Sequence, residues 1–179
     1  MSAHAYLRVA TRAAHDQVDS LLSGFDLGQR ADYADFLRIQ AAAFLPIERA
    51  LDEAGARSLG ADWPDWRRSA LLQADLDALQ IDSPPAQTPP EFAGSDAILG
   101  GMYVLEGSRL GGTMLARSVG AGLPRRFLGA APFSGGWKGL IALLEQHLTS
   151  DVQRERAAKS AILTFDCFYR AATRSVKVR

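Results

Sequence analysis

Apolar residues recur along this chain at steps of three and four, the spacing that gathers side chains onto one face of an α-helix. Between His4 and Leu22 the stripe is Leu7, Ala10, Thr11, Ala14, Val18, Leu21 and Leu22, and Ser23-Gly24 ends it. A second helix is expected from near Asp32, a good N-cap, through Phe36, Leu37, Ile39, Gln40, Ala43, Phe44, Ile47, Ala50 and Leu51. Pro46 is an expected kink and Gly55 the expected stop. Asp62 is expected to cap a further helix, Trp63 to Leu79, with Pro64 tolerated in its first turn. The stretch IDSPPAQTPPEFAGS then holds two Pro-Pro pairs, which exclude helix and predict an extended surface crossing. A long helix is expected from Asp96 to Gly120, with Leu123 to Pro132 as a connection. Ser134 is expected to cap a helix from Trp137 to about Leu148. Asp151 is expected to cap the last helix, which carries Ala157, Ala158, Ala161, Ile162, Phe165, Phe168 and Tyr169, and whose basic end SVKVR is expected to fray. No stretch alternates as a strand between hairpin turns. The pattern predicts an all-α fold, with residues 1–179 as one domain.

The Asp96–Gly120 stretch stands out because it places Gly100, Gly101, Gly107, Gly111 and Gly112 inside a helical pattern. Each costs roughly 1 kcal/mol relative to alanine, so something must offset the loss. Gly107 and Gly111 share a face, which Gly112 flanks. Two explanations stand equal on these residues: tight helix–helix packing, or a flat ligand lying against bare backbone.

Composition narrows the function without naming it. The chain is 47% hydrophobic and 22% charged, as in an ordinary globular protein. Lys plus Arg equals Asp plus Glu at 20 each, which gives no electrostatic footprint for nucleic acid. The pairs Arg67-Arg68 and Arg125-Arg126 read as solvated faces. The single cysteine, Cys167, excludes an intrachain disulfide framework and a thiolate metal cluster, and reads as a small core residue. The N-terminal stretch is broken by charges and resembles neither a signal peptide nor a membrane span, so a cytoplasmic protein without a membrane partner is expected.

Of the three histidines, His4 lies near the terminus and His147 near a helix end that favours a histidine. His15 sits in the first apolar stripe. A buried histidine satisfied by a hydrogen bond is the commoner outcome; a metal ligand is the alternative. A self-sufficient metal site needs several ligands, and helical spacing puts Asp16 and Asp19 on other sides of the helix from His15. Haem needs only one axial side chain. Arg8 and Arg12 precede His15 by seven and three residues and fall roughly 20° and 60° from it around the helix. Guanidinium forks there match the carboxylates on a porphyrin edge, although on these two residues alone an ordinary solvated edge is the favoured explanation.

The stretch LRVATRAAHDQVD resembles the proximal-helix motif of haem oxygenases, and YVLEGSRLGGTMLARSV resembles their distal helix, most closely in the bacterial enzymes found with bacteriophytochromes. Residues from Gly55 to Phe92 add little to the likeness. The resemblance implies a single-domain, haem-oxygenase-like helical bundle with His15 as proximal iron ligand. It implies that Gly107, Ser108, Gly111 and Gly112 line the distal face and that Arg8, Arg12 and Lys138 reach the propionates. Tyr103 would lie at the haem edge, and Phe165 and Phe168 would close the pocket. The family cleaves haem, both cofactor and substrate, to biliverdin, iron and carbon monoxide, using O2 and electrons from a donor such as a ferredoxin or a reductase.

Biliverdin is the chromophore precursor of bacteriophytochromes, so such a photoreceptor is the implied recipient, with iron acquisition from haem as the other role. Arg125, Arg126 and Lys138 are the expected docking surface for an acidic ferredoxin. One position departs from the mammalian-type pattern: Ser108 stands where those enzymes carry an aspartate, and a serine can still hold a water. Glu106 and Arg109 face away from the Gly107–Gly111 stripe. Two alternatives remain, a haem-binding protein without turnover and a haem-free helical interaction module on the same scaffold.

Overall fold

In the computed structural model, which describes residues 1–59, 63–131 and 135–176, most of each apolar stripe is buried as one face of a helix, although Ile162 and Tyr169 of the last stripe are exposed. Helix α1 (Ala3–Leu22) is capped at its start by Ser2, whose Oγ accepts from the Ala5 N–H at 3.2 Å. Helix α2 (Arg30–Glu53) runs through Pro46 and ends before Gly55, whose φ of 90° lies in the left-handed region. Asp32 is not its N-cap. It lies in the first turn and accepts from the Asp26 N–H at 2.9 Å, holding the incoming loop, and its charge suits the helix's positive end.

The expected helix from Trp63 to Leu79 is two helices, α3 (Trp63–Trp66) and α4 (Ser69–Leu79). The break has a chemical cause. Glu48 of α2, 1% exposed, accepts from the Arg68 and Ser69 N–H groups at 2.7 and 2.9 Å. Those donors therefore start a new helix capped by another element's carboxylate instead of continuing the old one. The Pro-rich crossing over 81–93 is non-helical as expected, and Gln87 donates its N–H to Ala42 O at 2.8 Å.

The glycine-rich helix α5 spans Gly94–Leu115, starting before Asp96 and stopping short of Gly120. Its exit tightens into turns, with the Arg117 and Ser118 N–H groups donating to Met114 O and Leu115 O. Helix α6 is Gly136–His147 and α7 is Asp151–Val176; the rest of the basic end expected to fray, residues 177–179, lies outside the described residues. Ser150, not Asp151, caps α7: its Oγ accepts from the Gln153 N–H, and Gln153 Oε1 accepts from the Ser150 and Thr149 N–H groups. This is a reciprocal capping box. The expected caps Asp62 and Ser134, and the end of the connection at Pro132, lie outside the described residues. Among the described residues there is no strand, and no helix is long and apolar enough to cross a membrane.

Helix α7 is the keel. Both α1 and α5 pack along it, while α1 and α5 make little contact with each other. The close α5–α7 approach depends on Gly100, where an added Cβ would lie 2.2 Å from Ala157 O. Ser160 Oγ donates across the same crossing to Ala97 O at 2.7 Å. Gly101 is filled in the same way, with the Phe92 ring 2.4 Å from a Cβ. At these two positions close packing, against α7 at Gly100 and against the Pro-rich crossing at Gly101, offsets the glycine cost. Glu145 of α6 accepts from the Ala3 and His4 N–H groups at 3.0 and 3.1 Å and fixes the start of α1.

Gly100→Ala is expected to destabilise the fold by about 1–3 kcal/mol through overpacking, outweighing the gain in helix propensity; urea unfolding against the parent checks this. Burial works to raise the Glu145 carboxyl, but the hydrogen bonds from His4, Ala3 and Ser2 outweigh it and hold it below the usual glutamate value. Its contribution is therefore complete above the unfolded-state glutamate value and is lost as pH falls through the lowered folded-state value. Glu145→Gln is expected to flatten the acid limb of the melting temperature plotted against pH, and an unchanged limb would refute the linkage.

Candidate functional site

Because α1 and α5 lean on α7 without closing on each other, a cleft of about 1230 Å³ runs between them. The two helices are tied together at separate points along it. Thr11 hydrogen-bonds Tyr103, and beyond the helix ends the Gly120 N–H donates to Leu27 O at 3.1 Å. The cleft exceeds the roughly 300–1,000 Å³ of ordinary small-molecule sites. Its walls are mainly apolar, with Val18, Leu22, Phe36, Val104, Phe165 and Phe168 among them. Val9, Leu110, Met114 and Leu115 also line it and are left exposed, at 66%, 43%, 68% and 42%. An exposed apolar lining of this kind marks a binding groove.

His15 lies on the α1 wall, one turn beyond Thr11. It is not a buried core histidine: its side chain is 54% exposed, because its stretch of the stripe faces the cleft instead of the core. Asp16 and Asp19 are not remote from it either. Nδ1 lies 3.5 Å from Asp16 Oδ1 and 3.4 Å from Asp19 Oδ2, since residues one and four positions on curl back beside the ring. Phe165 meets the imidazole edge-on at 5.8 Å between centroids. Nε2 is thus the nitrogen left for a ligand. Among the described residues no group of three His, Cys, Asp or Glu is placed to hold a metal by itself. An ion on His15 needs its other ligands from a bound group, as a porphyrin provides.

Arg8 and Arg12 line the cleft on the same helix, both exposed, and Arg12 makes a loose contact with Asp16 at 3.8 Å. Such an exposed pair is weak and yields readily to an incoming carboxylate. Tyr103 and Trp137 bound the cleft near Arg8, with ring centroids 5.6 Å apart and His4 packed edge-on to Trp137 at 5.5 Å. Burial raises the Tyr103 phenol above its ordinary value, against the opposing effects of the Thr11 hydrogen bond and the Arg8 charge. Lys138, the residue after Trp137, is exposed and is not part of the cleft wall.

The α5 wall carries Gly107, Ser108, Gly111 and Gly112. They differ in what a Cβ would meet. At Gly111 it would meet nothing within 4 Å; at Gly107 it would touch the Trp137 ring at 3.7 Å; at Gly112 it would press on Leu128 O at 3.3 Å. The bare face towards the cleft is therefore Gly107 and Gly111, while Gly112 lets the 123–131 connection close against α5. Ser108 donates to Leu105 O at 2.6 Å and accepts from Arg68 Nη2, also at 2.6 Å.

Arg68, expected with Arg67 on a solvated face, is buried instead. It is 2% exposed, and its guanidinium lies 4.8 and 4.9 Å from the Phe44 and Phe127 ring centroids. Burial lowers it to about 9, aided by Arg109 and opposed by Glu106 and Glu48, so it stays charged at neutral pH. No local pattern announces it, because its partners come from α2, α5 and the connection after α5. Gln40 also lines the cleft at 7% exposure, and a glutamine inside an apolar stripe was the available signal. Glu106 and Arg109 do face away, as a buried ion pair at 2.9 Å in which Arg109 also donates to Trp66 O at 2.6 Å.

No protein-family model matches the chain. A curated relative from Xanthomonas campestris pv. campestris (strain 8004), described as a heme oxygenase, is 33% identical over 144 residues. That alignment spans 76% of this chain and 86% of the relative. In structure the chain is similar to the NO- and CO-bound heme oxygenase from Neisseria meningitidis, with a TM-score of 0.84 over 99% of this chain and 93% of that one. Their sequences are 19% identical, so this second likeness speaks to the fold.

Gly111→Ala is expected to stabilise the free protein by up to about 1 kcal/mol, because the methyl enters open cleft and helix propensity rises. Denaturant unfolding of this variant beside Gly100→Ala should give opposite signs.

Proposed function

The chain belongs to the haem oxygenase family, and we propose that its cleft binds haem flat between α1 and α5, with His15 Nε2 as the axial ligand. The observation that carries this reading is the pairing of a half-exposed histidine on one wall with a bare glycine face on the other. Bound haem supplies the iron that takes up O2 and the porphyrin carbon that is oxidised, and the products are biliverdin, iron and carbon monoxide.

The chain's own residues have separable tasks. Asp19 and Asp16 lie beside His15 Nδ1 and favour the ring orientation that leaves Nε2 towards the cleft. Phe165 packs against the ring edge and limits its rotation. Gly107 and Gly111 leave room for a small ligand beside the backbone of α5. Ser108 holds a water through its remaining lone pair. Arg8 and Arg12 pair with the haem carboxylates, and Tyr103 bounds the haem edge. The apolar lining excludes bulk water. Gly112 and Phe168 shape the pocket, and Lys138 contributes charge at its rim.

The reaction needs O2 and an external electron donor. We assign that donor to the ferredoxin or reductase class, acting in the cytoplasm, with a bacteriophytochrome as recipient of the biliverdin. For docking an acidic donor, Arg126 is committed in part, since it pairs with the buried Asp75 at 3.4 Å, while Lys138 stays exposed.

One equivalent of haem is expected to give a Soret band of histidine-ligated iron, and ascorbate in air should convert it to biliverdin absorption. His15→Ala should lose the native ligation spectrum, and Asp19→Asn should weaken haem affinity or turnover about tenfold. A Soret band that persists under reduction in air would mark a haem-binding protein without turnover. No Soret band would return the scaffold to a haem-free role.

A further inference from the structure

Arg68 is a buried charge whose surroundings only partly account for it. Taking a guanidinium out of water costs several kcal/mol unless it is paired and hydrogen-bonded. Nη2 donates to Leu105 O and Ser108 Oγ, both at 2.6 Å, and two aromatic faces flank the group. The nearby carboxylates are engaged elsewhere. Glu48 accepts from main-chain N–H groups and Glu106 pairs with Arg109. Among the described residues, Arg68 Nε has no hydrogen-bond partner. A buried donor left unmet carries a desolvation cost that its surroundings do not offset. Arg68 lies on the cleft wall, with Ser108 between it and the open space.

The Ser108 hydroxyl completes the picture. Its proton goes to Leu105 O and one lone pair takes the Arg68 N–H. Towards the cleft it has only an acceptor to offer. It is therefore fixed as a hydrogen-bond acceptor and is not itself a proton donor.

We propose that Arg68 is a positioning residue of this site: it locks Ser108 as an acceptor and supplies the fixed positive charge of the α5 wall. The proposal rests on the haem-binding reading of the cleft. It gives a physical role to the serine in the distal motif. An aspartate at 108 would pair with Arg68 and cancel the charge that the serine leaves available. A ligand or water on this side is then biased towards its anionic form, because Arg68 is the member of the buried Glu48, Arg68, Glu106 and Arg109 group that bonds a residue of the wall, and a cation placed closest favours negative charge.

The test is the acid–alkaline transition of the ferric haem complex, followed by absorption against pH. Arg68→Met is expected to raise the midpoint by about one pH unit through loss of the charge. Ser108→Ala is expected to lower it by about half a unit, since it removes the acceptor and returns an Nη2 donor to the cleft. A merely structural role does not predict opposite signs. Should Arg68→Met fail to fold by circular dichroism, Ser108→Ala decides alone: a lower midpoint supports the proposal, and an unchanged or higher one overturns it. With both folded, unchanged midpoints or shifts of the same sign overturn it. A parent chain that takes up no haem overturns the functional reading, and the proposal with it; a histidine-ligated parent with insensitive midpoints overturns the proposal alone.

Discussion

The structure depends on one packing constraint: α1 and α5 are both held along α7 and make little contact with each other. Gly100 lets α5 approach α7 until backbone meets backbone, and no residue with a Cβ fits that crossing without a shift. Helix α1 is fixed at its start by Glu145 and near its middle by the Thr11–Tyr103 hydrogen bond. Once both helices are fixed this way, the space between them stays open. The apolar residues that face it cannot be covered from within the described chain, which is why Val9, Leu110, Met114 and Leu115 remain exposed. A flat apolar ligand in the cleft would bury that surface, and burial of this kind is worth about 25 cal/mol per Å².

Behind the α5 wall lies a polar layer that an all-apolar core would not need. Glu48, Arg68, Glu106 and Arg109 are each at most 3% exposed. Glu48 breaks the chain after Trp66 and starts α4, so Arg68 is delivered to the back of Ser108. Arg109 ties α5 to the carbonyls of Trp66 and Ala131. Replacing such buried pairs by apolar residues is often neutral or stabilising, so stability alone is a weak reason for them. Their position behind the cleft, with Arg68 donating to a residue of its wall, fits a role in shaping the site's electrostatics.

The site residues divide according to how local their cause is. His15 stood out because a lone histidine in an apolar stripe is visible at helical spacing, and Arg8 and Arg12 followed from the same periodicity. Even there, burial was misjudged: periodicity says which residues share a face, not whether that face meets a core or a cavity. The five glycines were visible too, but their purposes were not. Gly100 and Gly101 serve packing, Gly107 and Gly111 face the cleft, and Gly112 admits the connection after α5. Packing explains Gly100 and Gly101, while at Gly107 and Gly111 the bare backbone faces the open cleft that the ligand explanation requires.

By itself, then, the sequence determined the helices, the Pro-rich crossing, the all-α class and the motif pair that resembles a family, because each rests on spacings of a few residues. Tertiary structure alone decided the break between α3 and α4, the partners of Glu145 and the burial of Arg68. Each of those depends on groups 20 to 142 residues apart in the chain, as in Arg68 with Glu48 and Ala3 with Glu145. A hydrogen bond across such a distance leaves no periodicity to read. It exists only after the helices have packed and desolvation has made an unmet donor or charge expensive.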